Sequence, residues 1–375
     1  MDQAPFSAVP KIQMNKEFLI GAVVAVLVVV LGFLAFWFRT PMGAYFSGTA
    51  AQQKALSGAL TDFNTNNFDQ ALQASGQVLA SDPNNIQALL LKAITLAQEG
   101  SLQFKEQEYG VQAEAVARQA LALDPKNSEA WRIIGYSEEI RQNYDAAHQA
   151  YTQATALDPK NALAIADDAH AYDLQGNIVK AEAGYMQALK INPNLDLANL
   201  GLVRILIREQ DQQAALPILD RVIAATPNIR YRAEADYMAG SIEINLHDHA
   251  QARSFLEQAT ATDPSFPLGW FGLSRELFAE AADVSTSTTL SNDQRNALAK
   301  ESLQDLIKAV TLNPNQSIAY MQMGIELIYV GQTDNGIKAL KNAEQIMPQD
   351  ITLNAIDKHA LSGQLTSFLK LFGTT

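Results

Sequence analysis

The side chains best suited to chemistry are few. Five histidines occur, at 148, 170, 247, 249 and 359, and only His247-Asp248-His249 forms a cluster. Two histidines at i and i+2 around an aspartate could hold a metal from an extended loop. They fall instead at a predicted turn beside Asn245, where polar residues bond to nearby backbone, and the sequence supplies no third ligand. Asp167-Asp168 is a carboxylate pair, but on a helix adjacent residues point to different faces, so they read as solvation and not as an acid/base pair. The chain has no cysteine, which excludes thiol nucleophiles and cysteine metal sites. It contains no G-x-x-x-x-G-K-[ST] phosphate loop and no G-x-S-x-G elbow. The expectation is a protein that is not an enzyme, with no catalytic, cofactor or metal residue.

The elements that would position any site repeat along the chain. Asp124-Pro125, Asp158-Pro159 and Asn192-Pro193 lie thirty-four residues apart, and Thr226-Pro227 one further step on. Asn313-Pro314 and Met347-Pro348 repeat the step, with Asp82-Pro83 and Asp263-Pro264 in the same series at stretched spacing. A fixed period of this size signals stacked copies of one supersecondary unit. Within Ser128–Asn161, Trp131, Ile134 and Gly135 open one helix-period stretch. After a break at Tyr144, Ala147, Tyr151 and Ala154 line one face of a second. Small residues at these steps let two helices approach closely. Proline then ends the second helix, and the residue before it is pushed out of the α region.

This unit resembles the tetratricopeptide repeat (TPR), a thirty-four-residue helix–turn–helix with a W-x2-LG-x2-Y…A-x3-F…A…P pattern. Residues 162–195 fit it at Ala169, Tyr172, Gly176, Ala181, Tyr185, Ala188 and Pro193, and 317–350 at Tyr320, Gly324, Gly331, Leu340, Ala343 and Pro348. Degenerate copies carry Ala71 and Pro83; Ala113, Ala120 and Pro125; Ala215 and Pro227; Gly240, Ala252, Ala259 and Pro264; and Trp270, Ala309 and Pro314. The resemblance implies an all-α fold, a TPR right-handed α-solenoid of about eight units over residues 52–350. Contacts should fall mainly between adjacent units. Glu138 stands where the pattern expects tyrosine.

Two steps are long. Pro83 to Pro125 carries eight extra residues, placed near 98–110, and Pro264 to Pro314 sixteen, placed near 283–298. The Ser/Thr run beginning at Asp283 reads as a surface loop between two helices, and the sharper alternative is a partner-specific finger on one rim. Residues 351–375, with Ile351, Leu353, Ile356, Leu361, Leu365, Phe368 and Leu369 at helical spacing, read as a C-terminal cap helix over the last unit.

Phe18–Phe38 is twenty-one residues without a charge. At the helical rise it spans about 31 Å, enough for a hydrocarbon core of about 30 Å. It predicts a single transmembrane helix after an N-terminal tail (1–17), with Phe36, Trp37 and Phe38 as an aromatic belt and residues 39–51 as the linker. A cleaved signal peptide, with Gly48-Thr49-Ala50 as its site, fits less well because the apolar stretch is too long and the site too distant. Lys and Arg are balanced across the span, and the short tail before a large domain places the repeats outside the cytoplasm.

The net charge is −13. It argues against a nucleic-acid partner and against a face that clings to anionic lipid. What remains is recognition. The resemblance implies that the first helix of each unit lines a concave groove. Its register nominates Arg132, Tyr136, His170, Asp173, Arg204, Arg208, Tyr237, Arg275, Phe278 and Tyr329 as partner-binding residues. Arginines and aromatics on a curved wall suit an extended or helical peptide segment. Arg204 and Arg208, one turn apart, are expected to form a basic strip that attracts a partner's carboxylates. The carboxylate clamp of chaperone-binding members is absent, since Leu163, Ala166 and Asp167 stand at its positions. The expected function is a membrane-anchored scaffold for protein–protein interaction in a bacterial envelope, secretion or pilus assembly. The alternatives are an accessory subunit of a glycosyltransferase-type enzyme and a glycan-binding module.

Overall fold

The computed structural model describes residues 48–103, 105–282, 290–350 and 353–372. The apolar segment Phe18–Phe38, its flanking tail and most of the linker lie outside these residues. Among the described residues no helix is long and apolar enough to cross a membrane.

Among the described residues seventeen α-helices follow one another. They are α1 (Ala50–Asn64), α2 (Phe68–Ser81), α3 (Ile86–Gln103), α4 (Glu106–Leu123), α5 (Ser128–Ile140), α6 (Tyr144–Leu157), α7 (Ala162–Leu174), α8 (Ile178–Ile191) and α9 (Asp196–Arg208). Then come α10 (Gln212–Ala225), α11 (Ile229–Asn245), α12 (His249–Thr262), α13 (Pro267–Ala282), α14 (Asn292–Leu312), α15 (Ser317–Tyr329), α16 (Thr333–Ile346) and α17 (Ala355–Phe372). They form eight helix pairs and a terminal helix. A 3-10 turn at Met347–Gln349 precedes the last.

Two turns alternate, each built by local hydrogen bonds. Between units, the Asp or Asn before proline receives the N–H two residues on: Asp124 from Lys126 at 3.1 Å, Asp158 from Lys160 at 3.0 Å, Asn192 from Asn194 at 3.1 Å. Asn127 and Asn161 then cap the next helix, accepting from the N–H of Ala130 at 2.9 Å and of Ala164 at 3.0 Å. The same four residues therefore stop one helix and start another. Within units, residues 66, 142, 176, 210, 247 and 331 adopt positive φ, and the next N–H bonds back five residues, as Asn143 does to Glu138 and Asn177 to Tyr172. This is the left-handed helix stop that glycine takes without strain at 176 and 331.

Small residues set the packing distance. Ala147, Ala154, Ala181, Ala188, Ala252 and Ala259 of the second helices are fully buried. The ring of Tyr151 lies against Gly135 and that of Tyr185 against Gly201, so close that an added β-carbon would stand 2.5 and 2.3 Å from ring atoms. Tyrosine on one helix thus requires glycine on its neighbour.

The two long steps are taken up largely as helix. Helices α3 and α4 have 18 residues each, against 13 and 14 in the next pair. The extra residues placed near 98–110 thus belong to two extended helices on either side of Lys105. Helices α13 and α14 have 16 and 21 residues. Ser291 and Gln294 make a reciprocal capping box, so residues from Asn292 on are helical and not part of a loop. Residues 283–289 lie outside the described ones. On α17, buried Leu361 and Leu365 pack on Met321, Leu340 and Ala343, joined by Leu353, Phe368 and Leu369. Ile356 is exposed and takes no part.

Contacts concentrate between adjacent helices, but a second kind occurs that the repeat pattern does not announce. Asn66 Nδ2 donates to Asp263 Oδ2 at 3.0 Å, 197 positions away. Arg208 Nη2 donates to Asp357 Oδ2 at 3.3 Å, 149 positions away. Gly176 lies against Ile356 and Ala355. A polar cleft of about 390 Å³ separates Glu106, Arg141 and Gln142 from Asn313, Asn315 and Gln349. Residues 50–372 thus coil so that units four to five repeats apart meet along a thin seam.

One buried group links three helices. Glu326 on α15 is fully buried and accepts from Gln322 Nε2 at 2.9 Å. Its other oxygen lies 2.6 Å from Ser302 Oγ on α14, which is 2.8 Å from the carbonyl of Ser274 on α13. A hydroxyl has one proton for these two acceptors, so a protonated Glu326 that donates to Ser302 satisfies all three groups. Burial pushes this carboxyl up to about 7, against the opposing hydrogen bonds of Ser302 and Gln322. Its folded value exceeds the unfolded one, so its stabilisation is complete in acid and is lost as pH rises through about 7. Thermal melts should show a falling midpoint from about pH 5 to about pH 8, the window of that shift. Glu326→Gln keeps the shape and both hydrogen bonds without the charge. It should raise the midpoint at the alkaline end, by on the order of 2–3 kcal/mol of stability, and flatten the profile. An unchanged or steeper profile in the variant would show that Glu326 is not the group responsible.

Candidate interaction groove

The first helices of successive units, α5, α7, α9, α11, α13 and α15, bring the nominated residues onto comparable register positions. The groove is wired internally along its middle. Arg132 on α5, only 5% exposed, bonds Glu129 through Nη2 and Asp167 of α7 through Nη1, both at 2.6 Å. Burial alone would lower its pKa, but the two carboxylates outweigh it and the guanidinium stays charged. Burial raises the Asp167 carboxyl to about 6 in spite of Arg132. Asp167 is therefore a buried ion-pair member, which corrects its reading as solvation. Asp168 is also engaged, 2.6 Å from His148 Nδ1.

The pattern continues one helix on. Glu139, 3% exposed, accepts from Tyr151 Oη at 2.9 Å and meets His170 Nδ1 at 2.8 Å. Burial disfavours the His170 cation, yet the charge and hydrogen bond of Glu139 prevail and its pKa is raised. Arg204 on α9 reaches three partners: Glu234 of α11 at 2.9 Å, Asp173 of α7 at 3.4 Å and the Tyr185 hydroxyl at 3.4 Å. Arg208 reaches Asp357 of α17 and approaches Asp173 at 3.7 Å. The basic strip expected at Arg204 and Arg208 is thus corrected: both guanidinia face carboxylates of the chain itself. Counting Glu129, Glu139, Asp167, Asp173, Glu234 and Asp357 against Arg132, Arg204 and Arg208, the wired wall is acidic.

Aromatic groups fill part of this wall. Burial raises the pKa of Tyr136 and of Tyr231, and Tyr231 also feels Asp167, Tyr136, Asp196 and Glu234. Those four belong to α7, α5, α9 and α11, so the Tyr231 side chain lies on the inside of the curve. Sequence reasoning missed Tyr231 and the carboxylates Glu139 and Glu234. The register could have supplied Tyr231, which stands at the second place of its unit, as Glu129 does. Tyr237 departs from its nominated role. It packs among Leu256, Leu273 and Phe271, edge-on to Phe266 at 6.0 Å, as part of the core.

The C-terminal part of the wall differs. Arg275 on α13 stands over the Phe271 ring at 5.8 Å and has no ion pair among the described residues. Three positions on, Phe278 meets Tyr329 of α15 edge-to-face at 5.1 Å, and Tyr329 is 51% exposed. Of the ten nominated residues, these three form an uncommitted group.

The histidine cluster is a turn. His247 has φ +60°, Asp248 caps α12 by accepting from Gln251 N at 3.0 Å, and His249 Nδ1 meets Glu276 Oε1 at 2.9 Å. Among the described residues no three His, Asp or Glu side chains converge as a metal site.

Comparison with known proteins agrees with this architecture. Tetratricopeptide-repeat family models match residues 112–162 and 233–266. No curated protein shows significant sequence similarity to the chain. Among solved structures, the crystal structure of the APC/C hetero-tetramer Cut9-Hcn1 superposes with a TM-score of 0.61 at 16% identity, over 83% of this chain and 55% of that one. The chain thus spans about half the length of that relative. The human IFIT1 dimer with m7Gppp-AAAA gives 0.55 at 15% identity, over 88% and 80%. At such identities the likeness concerns the fold alone. Helix pairing, turn chemistry and the family matches together show tetratricopeptide repeats at residues 112–162 and 233–266, within an all-helical solenoid of the same fold.

Proposed function

We propose that the chain binds an extended segment of a protein partner on the C-terminal part of the groove, at Arg275, Phe278 and Tyr329. The observation that carries this reading is the contrast along the wall. Arg132, Arg204 and Arg208 face internal carboxylates, whereas Arg275 has no ion pair among the described residues and shares a helix face with the half-buried Phe278, whose ring meets the exposed Tyr329. An arginine beside exposed aromatic rings is the composition of a binding hot spot. The complementary segment carries an acidic residue for Arg275 next to an apolar or aromatic one. The acidic balance of the chain opposes a polyanion such as nucleic acid.

The wider setting follows from the apolar segment. Phe18–Phe38 supports a membrane tether, with the repeats outside the cytoplasm as a scaffold for an envelope, secretion or pilus assembly. Removing residues 1–40 should leave a soluble, helical, cooperatively melting protein. A truncated chain that still sediments with membranes would defeat the tether.

Capture of the partner from detergent-solubilised membranes tests the groove. Arg275→Ala with Tyr329→Ala should weaken capture at least about tenfold, roughly 1.4 kcal/mol, with the melting midpoint unchanged. Arg204→Ala should act the other way. It leaves Asp173 buried beside one distant cation and should cost about 1–3 kcal/mol of stability. Full capture by the first variant would overturn the assignment.

A further inference from the structure

The seam where α17 meets α9 places a carboxylate on a groove arginine in an unusual way. The body of α17 is fixed on the last unit by Leu361 and Leu365. Only its amino-terminal edge reaches the other turn of the coil. There Asp357 Oδ2 sits 3.3 Å from Arg208 Nη2, and the Asp357 side chain is 45% exposed. Ile356 covers Gly176 without becoming buried. The remaining contacts of Arg208 are incomplete. Its Nη1 is 3.7 Å from Asp173 Oδ1, and both atoms are buried without a hydrogen-bond partner. An arginine fork is made for two parallel bonds to one carboxylate. Here it has one long bond to a solvent-exposed aspartate, a pairing of little net worth.

We propose that Arg208 is a carboxylate-binding site which the chain covers with its own Asp357, and that an acidic peptide segment of a partner displaces this latch. Asp357 is offered from a helix start, with Asn354 Oδ1 accepting the Asp357 N–H at 2.8 Å, so its position is defined while its hold is weak. A bidentate ligand would satisfy the idle Nη1 as well as Nη2, and α17 could release its edge while its body stays anchored. The inference rests on the groove reading only in taking the partner to be a peptide. It does not depend on Arg275.

A short peptide carrying a single glutamate among neutral residues is the probe, since the acidic wall repels a polyanion, and it is titrated against the full chain with helicity and melting midpoint as folding controls. Asp357→Asn should bind it at least about tenfold more tightly than the unaltered chain. Adding Arg208→Ala should remove that gain, and adding Arg275→Ala should retain it. A second arm holds the latch shut. A β-carbon on Gly176 would stand 3.5 Å from that of Ala355, within the span of about 3.5–4.5 Å that a disulfide bridges. The natural chain has no cysteine to compete. In Gly176→Cys/Ala355→Cys, oxidation should lower affinity for the probe at least about tenfold and reduction restore it. Equal binding by Asp357→Asn and the unaltered chain overturns the proposal, as does equal binding by the oxidised and reduced forms. A gain that depends on Arg275 and not on Arg208 also overturns it, while leaving the groove reading intact.

Discussion

The rest of this structure hangs on the hydrogen bond that an Asp or Asn side chain accepts from the N–H two residues on, across a proline. Proline ends a helix for want of a donor and for lack of room. The side chain before it supplies the acceptor that the turning backbone would otherwise lack. An asparagine two residues after the proline then starts the next helix. The exit angle of each second helix and the entry angle of the next first helix are fixed within four residues, as at Asp158–Asn161. Identical angles repeated along a chain give a coil. Its inner wall, its seam and the alignment of every first helix are consequences.

The inner wall shows what repetition alone does not supply. Stacked units with alanine and glycine interfaces could slide by a helix turn at small cost. Arg132 bridging α5 to α7, His170 bridging back to α5, and Arg204 joining α7, α8 and α11 oppose such slips, because each would strand a buried charge. Buried pairs add little net stability, since desolvation offsets much of the attraction. Their effect here is on which neighbour fits which. That use of charge leaves the middle of the wall self-satisfied and sets apart the C-terminal part, where Arg275 has no ion pair among the described residues and Tyr329 is exposed.

Much of the fold was legible because it is local. The proline period, the alanine steps and the turn residues all act within one unit, and eight helix pairs with a terminal helix follow from them. Harder to read was whatever depends on a second unit. Asp167 looks like a solvated carboxylate until α5 brings Arg132 to it. Arg204 and Arg208 look like a basic strip until Asp173, Glu234 and Asp357 arrive from three other helices. The period placed the extra residues near 98–110 but could not give them a conformation. In the fold Gly100 lies against Tyr109 where the long pair closes, and Gly110 lies against Arg141 and Ser137 of the next unit. The register named the groove positions. It could not say which of them the chain would use on itself.

The seam has a mechanical consequence. An open solenoid behaves as a spring that lengthens from the first increment of force, since each interface tilts slightly. This one is wound until its coils touch, at Asn66 on Asp263 and at Arg208 on Asp357. Tension between its ends is borne first by those few polar contacts and only afterwards by the repeat interfaces. Its extension has a threshold, followed by a compliant regime. A chain held at one end and loaded at the other would thus be stiff under small loads and long under larger ones.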